Sequence, residues 1–391
     1  MYCRTLLLAI VIAAQALFLA NDSLRSQEVT TMPEKKSSPK SHRENAGLRG
    51  LVRQCTEERT TLATPASPEI KFSTTTEYDR EGRILSSTHI NPDGSKWTAT
   101  SLYDAHGRLL KTTSGQPGGP LDTTTYHYDE EGRPVSVEGK NPLNESTSFQ
   151  YDERGRKTRI LKSNLPPSTQ GAYGSTAMSF SLAGLDLYHP VPHGGVAKTL
   201  YDESDRPIET RVFDAEGHII QRLVQSYNAA GQILETKVVL ENIAAILPAV
   251  LKTQLLAEPG AAEELKQQLA TLLGAQGEMF KASYVYDAEG QLTEKRDHLG
   301  YGQETVTKFV YDSYGNKVEE HAIMSGDANP PQSEPGRQDA TAAASPNESE
   351  VTYIYKYDSH GNWIEQVVRS KSQPDGPPGD STLSRRTITY Y

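Results

Sequence analysis

Tyr78-Asp79-Arg80-Glu81-Gly82-Arg83 is the stretch that sets the fold, because the chain writes it ten times. Variants begin at Tyr103, Tyr128, Tyr151, Tyr201, Phe213, Tyr227, Tyr286, Tyr311 and Tyr357. The first position is Tyr nine times and Phe once, the second Asp nine times and Asn228 once, the fifth Gly nine times and Asp205 once. In such a unit the Asp carboxylate accepts a hydrogen bond from a backbone N–H two residues on, which starts a type I turn. Gly then stands where the chain needs positive φ to re-enter the returning strand. The unit therefore reads as a hairpin corner. Its turn residues are Tyr78, Asp79 and Gly82; Tyr103, Asp104 and Gly107; Tyr128, Asp129 and Gly132; Tyr151, Asp152 and Gly155. Further along they are Tyr286, Asp287 and Gly290; Tyr311, Asp312 and Gly315; Tyr357, Asp358 and Gly361.

The flanks agree. Tyr126-His127-Tyr128 and Tyr353-Ile354-Tyr355-Lys356-Tyr357 are aromatic and β-branched runs that read as strand. The third residue after the corner glycine is Leu85, Leu110, Val135, Thr158, Ile208, Ile220, Leu234, Thr293, Val318 or Ile364, and a polar residue follows each. That pattern predicts one face turned in and one turned out. Corner tyrosines are 25, 25 and 23 residues apart through the first four copies, about the length of two strands, a turn and a return loop. A lone hairpin is marginal in water, so the hairpins must stack into one sheet. The tyrosines are then expected to form a ladder of cross-strand pairs, each contributing about 0.2–1 kcal/mol.

From Lys71 to Tyr391 the chain resembles the Rhs/YD-repeat family, which includes teneurins and the shells of bacterial insecticidal toxin complexes. For large members the resemblance implies a hollow β-shell around a C-terminal toxin. Here the copies are few for a large shell, no self-cleavage signature is visible, and Thr387-Ile388-Thr389-Tyr390-Tyr391 still reads as strand. The resemblance is therefore to short, secreted YD-repeat proteins, for which it supplies a fold and no activity. The expected fold class is all-β: antiparallel hairpins in a long curved meander or partial shell, with one inserted helical hairpin.

Residues 1–20 read as a secretory signal peptide, with Arg4, the apolar run Leu6–Ala13 and a small-x-small site at Ala14-Gln15-Ala16. An uncleaved anchor is the alternative, though the apolar run is short for a bilayer. Residues 21–46 are polar and read as a disordered linker, leaving 47–391 as the repeat domain. Cleavage would leave Cys55 as the single cysteine, so no internal disulfide is expected. It is either a small apolar residue of an opening strand, Leu51–Leu62, or a reactive thiol. Return loops are marked by Asn91-Pro92-Asp93-Gly94, by Gly115–Pro120 and by Asn141-Pro142-Leu143-Asn144.

Two stretches, about 161–199 and 323–349, break the period and read as long loops. Copies at Tyr201, Phe213 and Tyr227 are so close that they must occupy successive corners of a meander. From 241 to 277, apolar residues at helical spacing around Glu258-Pro259-Gly260 predict two helices. They either cover the sheet or offer a surface to a partner.

Catalytic signatures are missing: there is no HExxH, GxSxG, phosphate-cradling glycine loop or CxxC. The pair His189 and His193 lies on a Pro-locked segment with no third ligand nearby, a poor start for a metal site. No cofactor is expected. A formal net charge of −10 argues against nucleic acid. Three functions are open: a secreted or periplasmic non-catalytic interaction or structural protein, favoured here; a carbohydrate-binding module of the cell envelope using Trp97 or Trp363; and a hydrolase or toxin remnant. The expected partner is a protein or glycan at the envelope, with the membrane met only through the signal segment.

Overall fold

The structure is a computed structural model and describes residues 40–63, 67–140, 146–162, 194–241, 278–299, 303–325, 347–371 and 381–391. A one-turn helix, α1 (His42–Asn45), precedes β1 (Val52–Thr61), β2 (Ile70–Tyr78), β3 (Ile84–Ile90), β4 (Lys96–Tyr103) and β5 (Leu109–Gly115). Next come β6 (Leu121–Tyr128), β7 (Pro134–Lys140), β8 (Ser146–Tyr151), β9 (Lys157–Lys162) and β10 (Val196–Tyr201). They are followed by β11 (Pro207–Phe213), β12 (Ile219–Tyr227), β13 (Ile233–Leu240), β14 (Glu278–Tyr286) and β15 (Leu292–Leu299). The last five are β16 (Gln303–Tyr311), β17 (Lys317–Ser325), β18 (Asn347–Tyr357), β19 (Trp363–Lys371) and β20 (Ser381–Tyr390).

Each strand pairs antiparallel with its neighbours in sequence, and β20 pairs with β1. The all-β hairpin array is as read from the sequence, but its ends meet: this is a closed barrel and not an open meander or partial shell. The reason is local. Every corner carries a register shift, and bulges bend and twist a strand in a constant sense until the two edges pair. A round ring of 20 strands would be roughly 30 Å across at about 4.8 Å per strand, too wide for its own side chains to fill.

The bulge also corrects the reading of the aliphatic position. Glu77 pairs with Ser86 and Tyr78 with Ile84, so Leu85 is skipped. The same step skips Leu110, Val135, Thr158, Ile208, Ile220, Leu234, Thr293, Val318 and Ile364. These residues are the extra residue of a bulge and, apart from the buried Ile220, do not mark the buried face. Leu85, Ile208, Leu234 and Ile364 are exposed. The two threonines have a physical reason: Thr158 donates to the carbonyl of Gln150 and Thr293 to that of Val285, groups on the facing strand at the bulge.

Residues paired across strands share a face, and one face holds Cys55, Ala197, Val212, Leu223, Val238, Phe280 and Ala282, all buried. That face is the interior. The opposite face carries the ion pairs Glu365–Arg385, Glu235–Lys281 and Arg296–Glu294, together with threonine pairs such as Thr100–Thr113 at 2.6 Å. Hydroxyl pairs of this kind explain how a chain so poor in aliphatic residues fills its strands.

Boundaries differ from the sequence reading at several points. Within the expected linker, α1 is folded: Ser41 and Glu44 form a capping box and Arg43 is buried. Tertiary packing against the Gly82 corner overrides the polar composition there, with Arg43 N–H bonded to the Gly82 carbonyl. The expected loop at 161–199 includes the end of β9 and most of β10, and that at 323–349 includes the end of β17 and the start of β18. Gly115 closes β5 and is not part of a return loop. The signal segment, the 141–144 loop and the helical pair, apart from Glu241, lie outside the described residues.

Candidate functional site

Strands alternate in direction, so the two ends of the barrel collect different connections. Nine of the ten corners, from 78–84 to 357–363, join an even-numbered strand to the next odd one and fall at one end. Gly82 donates its N–H to the Asp79 carbonyl and Asp79 its N–H to the Arg83 carbonyl, and the pattern recurs at every corner. Corner glycines have φ between 75° and 88°, and Asp205 takes 62°. Asp205 tolerates this position because Arg154 and Arg156, on the preceding corner, bind its two carboxylate oxygens at 2.7 and 2.9 Å.

The tyrosines do not pair across strands as expected; from Tyr103 on, each reaches back to the previous corner. Asp104 Oδ1 accepts the Arg108 backbone N–H at 2.8 Å and its Oδ2 accepts Arg108 Nε at 2.6 Å. The guanidinium so held lies 5.1 Å from the ring centre of Tyr128, whose hydroxyl donates to the Leu109 carbonyl at 2.8 Å. Arg83–Tyr103, Arg133–Tyr151, Arg156–Tyr201 and Arg206–Tyr227 repeat this clamp. Where Asn follows the glycine, the freed carboxylate takes the hydroxyl itself: Tyr357 donates to Asp312, and Tyr390 to Asp358 at 2.5 Å. Tyr390 and Tyr391 complete the ring, the latter donating to the Tyr78 carbonyl with Arg80 over its face. The exceptional corner, Phe213-Asp214, lies between β11 and β12 at the other end, where no neighbouring corner offers a carbonyl. Phe in place of Tyr fits that position.

These contacts shift titration. Burial pushes Tyr227, Tyr286 and Tyr311 up to about 12. The Arg156 and Arg206 backbone N–H groups, then their guanidiniums, hold Asp152 and Asp202 below the usual carboxylate range. The corner tyrosines and aspartates are thus engaged with one another and with the corner backbone, and the corner end forms a structural belt.

At the opposite end the chain leaves and re-enters the barrel through residues 62–69, 163–193, 241–277, 326–346 and 372–380. The interior wall near that end differs by sector. From β2 to β6 it carries no Lys, Arg or Glu, only Phe72, Thr74, Thr76, Ser87, His89, Trp97 and other neutral groups, with Asp122 at its edge. From β15 round to β1 it is charged, with Lys295–Asp297 and Arg386–Glu57 paired. Where the neutral sector meets the charged one, Arg59 of β1 and Phe72, His89 and Trp97 of β2 to β4 fall on one face of four consecutive strands. Arg59 lies 5.7 Å from the Phe72 ring centre, the Phe72 and His89 rings are 5.8 Å apart, and His89 is the register partner of Trp97. Trp97 is 42% exposed. Sequence reasoning found Trp97 alone. The 91–95 turn already set His89 opposite it, and that was the available signal.

Trp363 has a different setting: the Arg386 guanidinium lies 3.5 Å from its ring centre and Tyr355 packs alongside, so its face is occupied. Cys55 is buried in the cluster with Leu48, Val52 and Tyr78, and burial pushes its thiol up to about 11, away from nucleophilic use. His189 and His193 lie outside the described residues, among which no group of three metal-ligating side chains occurs. No helix among the described residues is long and apolar enough to cross a membrane.

A closed antiparallel barrel built from Tyr-Asp hairpin corners is the class this geometry defines. Residues 128–164 match the family model described as RHS Repeat. No curated protein matches the chain. Among solved structures, a porin-like protein from Bacteroides uniformis ATCC 8492 is similar at a TM-score of 0.31 and 9% identity, over 86% of this chain and 96% of that one. A TcdB2-TccC3-Cdc42 structure is similar at a TM-score of 0.30 and 12% identity, over 83% of this chain and 18% of that one.

Proposed function

We propose that this protein is a secreted or periplasmic, non-catalytic interaction scaffold, which uses its barrel as a rigid frame for partner-binding segments. The observation that carries this reading is the segregation of connections. Corner residues at one end are consumed in holding the ring, while every connection longer than a tight turn leaves from the other. Binding residues concentrate on loops held by a rigid frame. A carbohydrate-binding module of the cell envelope is the second reading, favoured by the aromatic row on the interior wall.

The test replaces 163–193, 242–277, 326–346 and 372–380 one at a time with Asn-Gly and cross-links each mature variant to the native envelope fraction. Closure entropy changes only slowly with the length of a connection, so melting temperatures are expected to stay near the parent's. At least one replacement should abolish a cross-linked product. If all four variants retain every product of the parent, the presenting end does no binding and the scaffold reading fails.

A further inference from the structure

The row Arg59–Phe72–His89–Trp97 has no part in the belt, and nothing in corner chemistry accounts for it. We infer that it is a binding platform for a neutral oligosaccharide, entered from the end that carries the long connections. The inference rests on reading the chain as a non-catalytic binding protein and names its ligand class.

Three features converge on that ligand. Trp97 stands exposed near the mouth, and Phe72 and His89 continue an aromatic surface round the wall across two further strands. Flat apolar rings take the C–H face of a pyranose, and a few polar groups around them fix its orientation. Hydroxyls supply those groups. Thr74 Oγ1 holds His89 Nδ1 at 3.0 Å, leaving the other ring nitrogen for a ligand. Ser87, Ser101, Thr112 and Thr124 occupy the same face further round and are half-buried.

Charge and topology disfavour the competitors. A wall without Lys or Arg from β2 to β6, in a chain of net charge −10, gives phosphate or sulfate groups nothing to pair with. Arg59 is the one cation of the row, and its guanidinium is turned to the Phe72 ring. An extended peptide would need a free strand edge for main-chain pairing. The ring closes through β1 and β20 and offers none.

The experiment titrates the mature protein with chito-, cello- and malto-oligosaccharides, with single-stranded DNA and with an aromatic-rich peptide, reading calorimetry and Trp fluorescence. Trp97→Ala, Trp97→Phe and Phe72→Ala are compared with Trp363→Phe, and thermal melts confirm folding. At least one neutral oligosaccharide should bind, with Trp97→Ala and Phe72→Ala each weakening it tenfold or more. Trp97→Phe should retain most of the affinity and Trp363→Phe all of it. Absence of binding by every sugar, sugar binding indifferent to Trp97 and Phe72, or preference for DNA or peptide would each overturn the inference. The scaffold reading would survive those results if loop replacements still abolish cross-links. Conversely, Trp97-dependent sugar binding beside indifferent loops would keep this site and remove the scaffold.

Discussion

The two ends of the barrel are built on opposite rules. At the corner end, one six-residue unit is used nine times, and from the second copy on each is held to the one before by a tyrosine hydroxyl, in five cases with a guanidinium over the ring as well. At the other end, connections range from the tight Asn91–Ser95 turn to the 163–193 stretch, and Phe213 marks the one corner that sits there without a clamp. The contrast shows that repetition in this chain serves closure. One rim fixes the ring, so the other can vary in length and composition without opening it.

The largest effect that should separate the ends is alkaline unfolding. In the folded state Tyr227, Tyr286 and Tyr311 titrate at about 12 against an ordinary value of 10. The native protein therefore keeps protons that the unfolded chain gives up. Their stabilisation is complete below pH 10 and is lost as pH rises from 10 to 12. Hydrogen exchange at pH 11 should open the corner end before the strand ends opposite. Uniform opening would show that the belt is not the alkali-sensitive part. The sign reverses in acid: Asp152 and Asp202 have depressed values, so their contribution is present above the usual carboxylate range and lost as pH falls through the folded-state value.

A glycine pair gives the next effect. Gly107 and Gly94 both have φ of +81°, but a Cβ at Gly107 meets the Arg83 guanidinium at 2.5 Å and one at Gly94 meets nothing. Gly94→Val should cost about 1–2 kcal/mol in urea unfolding from backbone strain alone, and Gly107→Val roughly 1 kcal/mol more from the disturbed clamp. Equal losses would mean that the clamp adds nothing. Smaller still, Tyr103→Phe removes one half-buried hydroxyl bond and should cost about 1 kcal/mol. The reciprocal Phe213→Tyr should change stability by less than about 0.5 kcal/mol. The least change is expected at Asp205→Gly, where relief of positive-φ strain offsets the lost surface ion pairs to within about 0.5 kcal/mol. Asp205→Ala keeps the strain and loses the pairs, so it should be the worse of the two by thermal melt.

The corners were legible because Asp and Gly act on their own few residues: turn type, positive φ and hairpin pairing follow from the Tyr78–Arg83 unit itself. The aliphatic position misled, since a bulge residue such as Leu85 and a core residue share the same local pattern and differ only in register. The belt was hidden because Tyr128 contacts Arg108 and Leu109 at the far end of the neighbouring strand, with Leu109 19 residues back in the chain, a distance no local period reports. Arg at the sixth position in five of ten corners was the available clue. Closure was illegible for a related reason, being the sum of many small bends. Of the interior row, only Trp97 could be singled out, because Phe72 and Arg59 join it through three successive registers.

The last ladder joins residues 329 apart, with Arg386 on Glu57, although every other ladder links consecutive strands. During synthesis β1 must therefore wait with one edge unsatisfied until almost the whole polypeptide has left the ribosome or the export channel. A waiting edge is a template for pairing with other chains, so the nascent molecule is expected to need shelter or speed. Any shortening that removes β20 should yield sticky, polymer-prone material rather than a smaller ring.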